Sequence, residues 1–120
     1  MSNKYKIEYL NGITKIKYFQ KPIYSDAKEI IDEVVDKFPY EKRLWDFSLV
    51  KFNFTMDEIA SIAEYGKLKF TKPNKLAIIA FDDLTYGEFK IFESHREQEN
   101  LSEARVFRTE IEAVEWLESD

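Results

Sequence analysis

The sequence predicts an α/β protein with the element order ββαβαβαβα, and three observations carry that prediction. The run Leu76-Ala77-Ile78-Ile79-Ala80-Phe81 is apolar at every position, the mark of a strand buried on both faces. An Asn11-Gly12 pair stands between two stretches that alternate apolar and charged residues, a strong hairpin signal. Three strands, the apolar run among them, each lead into a Thr-x-x-Glu motif, at Thr55, Thr85 and Thr109. In that motif Thr caps the first helical turn and Glu reaches back to it. Strands that alternate with helices pair in parallel, and the hairpin adds one antiparallel strand, so the sheet is mixed and five-stranded.

Each element follows from local pattern. Tyr5, Ile7 and Tyr9 alternate with Lys4, Lys6 and Glu8, and Ile16 and Tyr18 with Lys15 and Lys17. This gives hairpin strands over about 4–10 and 13–19, one face in and one out. Lys21-Pro22 ends the second strand. Ser25 is a candidate N-cap with Asp26 in the first turn, and Ala27, Ile30, Ile31, Val34, Val35 and Phe38 then recur at helical spacing until Pro39. Arg43–Ser48 reads as the third strand. After Thr55, the residues Met56, Ile59, Ala60, Ile62, Ala63 and Gly66 form the apolar face of a second helix. Lys72-Pro73-Asn74 turns into the central strand. The third helix starts at Thr85 or at the alternative caps Asp82 and Asp83. After the strand Ala104–Arg108, the last helix is expected to bury Ile111, Ala113, Val114 and Leu117, with Trp116 beside them.

Composition narrows the class of function. At 120 residues, 44% apolar and 16% aromatic, the chain suffices for one globular domain, residues 1–120. The absence of cysteine excludes a disulfide framework, a thiolate zinc site and a cysteine nucleophile, and fits a reducing compartment. Met1–Lys6 lacks the apolar core of a signal peptide, and no run approaches the ~18 apolar residues of a membrane span. A cytoplasmic protein with no membrane span is expected. The net charge of −5 works against nucleic acid as a partner. The charge is uneven: residues 1–21 carry Lys4, Lys6, Lys15, Lys17 and Lys21 against Glu8. Such polarity orients a partner or belongs to a solvated strand face.

Residues with chemical capacity are few. Asp46, Asp82 and Asp83 stand at carboxyl ends of predicted parallel strands, where open α/β sheets place ligands, and are the weak candidates for a Mg²⁺ site. Turn and cap duty is the reading their positions favour. The acidic pair follows the fourth strand and no lysine closes the last one, so a receiver-type phosphoryl-transfer site is not spelled out. His95, the single histidine, lies near the end of the third helix without a nucleophile evidently paired to it. Tyr5, Tyr9, Tyr18 and Phe19 interleave with lysines and read either as a base-stacking platform or as hairpin packing. No catalytic residue and no cofactor are assigned.

Leu44-Trp45-Asp46, Ala77–Ala80 with Asp82-Asp83-Leu84 and Tyr86-Gly87, Phe92-Glu93, and Val106–Thr109 with Ala113 and Trp116-Leu117 resemble the SpoIIAA-like (STAS/SEC14-type) small bacterial proteins. The resemblance spans nearly the whole chain and rests on core and turn residues. It implies a β-α superhelix with strands in sequential order and four helices mainly on one face of the sheet. Better-understood relatives are anti-sigma factor antagonists, which bind other proteins and are switched by phosphorylation of a serine in an Asp-Ser-Ser-Gly stretch. Here that place reads Phe54-Thr55-Met56-Asp57, which leaves Thr55 as the one hydroxyl in register, as a phosphoacceptor or simply an N-cap.

Helices on one side leave the second face of the apolar central strand uncovered, and the chain's own first helix, its loops or a second copy would have to cover it. On the third helix, Leu84 and Ile91 fall on one face at 100° per residue, so Tyr86, Phe89 and Phe92 spread away from it as a candidate interaction surface. The expected role is therefore non-enzymatic: a protein-interaction or regulatory module, a homodimer with a further protein partner. The alternatives are a binder of a small apolar or lipid-like ligand enclosed by aromatic residues of the second and third helices, and a metal-dependent enzyme using the strand-edge aspartates.

Overall fold

Asn11 and Gly12 both adopt positive φ, 53° and 81°, as a two-residue hairpin turn of type I′ requires. They join β1 (Tyr5–Leu10) to β2 (Ile13–Tyr18), with Leu10 opposite Ile13 and Tyr5 opposite Tyr18. The structure, a computed structural model, describes residues 4–20, 23–38, 40–51, 54–70, 73–96 and 102–119. Lys21, Pro22, Pro39 and Lys72, expected at element ends, lie outside the described residues, as does the side chain of His95. The remaining elements are α1 (Tyr24–Lys37), β3 (Lys42–Asp46), α2 (Met56–Lys69), β4 (Asn74–Ile79), α3 (Asp83–Arg96), β5 (Ser102–Phe107) and α4 (Glu110–Glu118). The fold is α/β. Its mixed five-stranded sheet runs β1-β2-β3-β4-β5, antiparallel at the hairpin and parallel thereafter.

Strand alternation divides the sheet into two faces. Ile16, Tyr18, Trp45, Phe47, Leu76, Ile78, Ala80, Ala104 and Val106 form one core with α1, α2 and α3. Those three helices are crossovers between parallel strands, and crossovers of one hand pack on one side. Ile13, Leu44, Ala77 and Ile79 point the other way and are covered by Ala113 and Leu117 of α4. The covering layer predicted for the second face is thus the last helix, neither the first helix nor a second copy. The physical reason is connectivity: among the described residues α4 does not join two parallel strands, so the crossover rule does not constrain it.

Local capping sets the helix starts. Thr55 and Glu58 form the reciprocal box: Glu58 N–H donates to Thr55 Oγ1 at 3.1 Å and Thr55 N–H to Glu58 Oε1 at 2.9 Å. At α4, Thr109 Oγ1 accepts from Glu112 N–H, but its own hydroxyl donates to Glu112 Oε1, so the box is half formed. One expected cap is corrected: the cap of α1 is Ile23, not Ser25, because Asp26 Oδ2 accepts from Ile23 N–H at 3.2 Å and no cap side chain is needed. Of the caps the sequence offers for α3, Asp82 opens it, its Oδ2 accepting from Thr85 N–H at 3.1 Å.

Polar contacts tie the layers. Tyr65 Oη donates to Asp32 Oδ1 at 2.5 Å between α2 and α1. The buried Arg43 guanidinium stacks 3.5 Å from the Phe70 ring centroid and donates to Asn74 Oδ1. The hairpin lysines are met largely within the chain: Lys4 by Asp26, Lys6 by Glu8 and Lys15 by Glu110. Much of the positive amino end is therefore compensated by the fold's own acids. Tyr18 is buried between Tyr5 and Phe47, at centroid distances of 5.6 and 5.1 Å, and Tyr9 stacks on Tyr40 at 4.0 Å. Tyr5 and Tyr18 pack the hairpin against the core, whereas Tyr9, Tyr40 and Phe19 stay exposed.

Candidate functional site

The parallel strands β3 and β4 are neighbours, so the connections that leave their carboxyl ends, β3–α2 and β4–α3, emerge side by side. A hydrogen bond stitches them together: Phe54 N–H, ahead of α2, donates to Glu88 Oε2 of α3 at 3.2 Å. On this edge stand four large apolar side chains in water: Leu49 at 61% exposure, Met56 at 60%, Phe81 at 73% and Leu84 at 63%. Met56 is the first residue of α2 and Leu84 the second of α3. Met56 and Leu84 lie on the sides of these first turns that face away from the core, whereas Thr85 on the other side of the α3 turn is buried.

The edge holds its polar groups in structural roles. Asp46 is buried and its Oδ1 accepts from Ser48 N–H at 2.8 Å, closing the turn after β3. The Thr85 hydroxyl, with its N–H, hydrogen-bonds Asp82 and holds that carboxyl below its ordinary range. Asp83 is exposed and pairs with Arg108 at 2.8 Å, while Arg108 also donates to the Phe81 carbonyl and lies over the Tyr86 ring at 4.1 Å. The three aspartates do not converge, and among the described residues no three acidic or histidine side chains gather as metal ligands. Thr55 sits at the same edge, exposed, with its hydroxyl engaged by Glu58 N–H.

The aromatic surface expected on α3 is corrected. Phe89 and Phe92 are 2% and 3% exposed, and Tyr86 is half-buried. Phe89 lies 4.9 Å from Phe47 and 5.9 Å from Phe92 between ring centroids. With Asp82 as cap, Thr85, Phe89 and Phe92 share the inward face at i, i+4 and i+7, and Leu84 turns outward. Met56 and Ile111, expected in helix faces, are likewise exposed in the first turns of their helices. The space among Tyr18, Trp45, Phe47, Phe54, Phe89 and Phe92 is only about 10 Å³. That is room for about one water, against the roughly 300 Å³ or more of a ligand pocket.

Leu49, Met56, Phe81 and Leu84 were not singled out from the sequence as a site. The signal was present in the caps: Thr55 puts Met56, and Asp82 puts Leu84, in a first turn at the carboxyl edge. Compared with family models and with curated proteins, the chain matches none of either.

Glu88 gives this edge a pH dependence. Burial raises its carboxyl above the ordinary range, against the Phe54 N–H bond, which lowers it, and the Asp82 charge adds to the rise. A carboxyl with a raised folded value binds its proton more tightly folded than unfolded. Its cost to stability is absent below the unfolded value and grows as pH rises through the folded one. The stability of Glu88→Gln relative to the native chain should therefore increase from pH 4 to pH 7 in urea unfolding. A difference that is flat or falls with pH contradicts this assignment.

Proposed function

We propose that the protein is a non-enzymatic, protein-binding module of the SpoIIAA-like type, and that it engages its partner through the apolar carboxyl edge formed by Leu49, Met56, Phe81 and Leu84. The observation that carries the proposal is four large apolar side chains, each at least 60% exposed, on the two adjacent connections that leave β3 and β4. Exposed apolar groups gathered at one place cost solubility and mark surfaces that associate. The sequential strand order supports the family reading. The partner is a protein that presents apolar side chains to this edge, with Lys51, Asp83 and Arg108 supplying a charged rim.

The test is affinity capture from a lysate with the native chain and with Leu49→Ser/Phe81→Ser/Leu84→Ser. Exposed substitutions of this sort move stability by only about 0.5 kcal/mol each. A protein retained by the native chain and lost from the folded variant supports the proposal. A partner retained equally by both, or none retained by the native chain, contradicts it.

A further inference from the structure

The two edges of the sheet are treated differently. At β5, Ala80 N–H donates to the Phe107 carbonyl, so Phe107 faces β4 and Val106 faces outward. The outward Val106 N–H is taken by Glu93 Oε2 of α3 at 3.1 Å, which removes a donor that another strand would need there. At β1, Phe19 N–H donates to the Lys4 carbonyl at 2.7 Å. The antiparallel register then turns the backbone groups of Lys4, Lys6, Glu8 and Leu10 toward β2. Those of Tyr5, Ile7 and Tyr9 point outward. No described strand lies beyond β1, and among the described residues no side chain takes up these groups. The strand has neither proline nor bulge to deter pairing.

We propose that two copies of the chain pair through β1, antiparallel and centred on Ile7, to make one continuous sheet with five strands from each copy. Side-chain charge selects both the occupant and the register. Centring on Lys6 sets Lys6 against the partner copy's Lys6, and centring on Glu8 sets Glu8 against Glu8. Centring on Ile7 sets Lys6 against Glu8 twice, Ile7 against Ile7, and Tyr5 against Tyr9 twice. It also places the outward groups of Tyr5, Ile7 and Tyr9 directly opposite one another, as a hydrogen-bonded antiparallel pair requires. Like charges directly opposite each other destabilise a strand pair and opposite charges support it. Lys6 and Glu8 are both exposed and lie 3.7 Å apart on one face of β1, ready to form a four-charge cluster across the two-fold axis. This pairing uses a different part of the molecule from the carboxyl edge and does not depend on the function proposed for it.

Sedimentation equilibrium up to about 100 μM should give a reversible dimer, within the range of small interfaces. Lys6→Glu and Glu8→Lys should each weaken it by about tenfold or more, because each sets like charges opposite each other twice. An equimolar mixture of the two single variants, and the double exchange Lys6→Glu/Glu8→Lys, should each restore association. Amide protons of Tyr5, Ile7 and Tyr9 should gain hydrogen-exchange protection as concentration rises. A monomer mass throughout overturns the proposal. So does a dimer that ignores the single variants, or one that leaves those three amides unprotected.

Discussion

Phe89→Ala should cost the fold about 3–5 kcal/mol. The ring is 2% exposed and lies between Phe47 and Phe92, in the layer where α3 meets the sheet. Truncation removes the transfer free energy of the ring and leaves a void. The flanking aromatics are held by Tyr18, Trp45 and the backbone, so the void collapses only in part. Urea unfolding measures the effect as a fall in midpoint with an unchanged slope. A loss below about 1 kcal/mol would return Phe89 to the surface and reverse the helix face assigned to α3.

Leu117→Ala is the second large expectation, at about 2–5 kcal/mol. Leu117 is fully buried with Ala113 against Leu44, Ala77 and Ile79. At nine residues α4 is too short to persist on intrinsic helicity, so its order depends on this contact. The loss should therefore appear both in equilibrium unfolding and as faster hydrogen exchange along α4. A variant as stable as the native chain would mean that α4 does not cover the second face.

The parts of this fold that were legible in the sequence are those set by short-range rules. Asn11-Gly12 needs two positive φ values and so fixes the hairpin, and Thr55 with Glu58 fixes the start of α2. The apolar run Leu76–Phe81 marked an interior strand, β4, but the centre of the sheet is β3; β4 ends at Ile79 and Phe81 is solvent-exposed. What failed was decided by longer range. Anchoring the inward face of α3 on Leu84 and Ile91 hid the stripe Thr85-Phe89-Phe92, because a buried threonine does not look like core. The position of α4 could not be read from a crossover rule that applies only between two strands. The exposed edge was missed because apolar residues in a first turn look like core when only their hydrophobicity is counted. Asp46, Asp82 and Asp83 looked like a cluster in the sequence, yet each has a separate structural partner.

The claim that the carboxyl edge is the working surface is tested most directly by calorimetric titration of a captured partner into three forms of the chain. These are the native chain, Leu49→Ser/Phe81→Ser/Leu84→Ser, and Leu68→Ser, the last altering an equally exposed leucine at the opposite end of α2. The prediction is a loss of about tenfold or more in affinity for the edge variant, equivalent to about 1.4 kcal/mol, with the Leu68→Ser chain binding as the native one does. Equal affinity for all three, or a loss confined to Leu68→Ser, would contradict it.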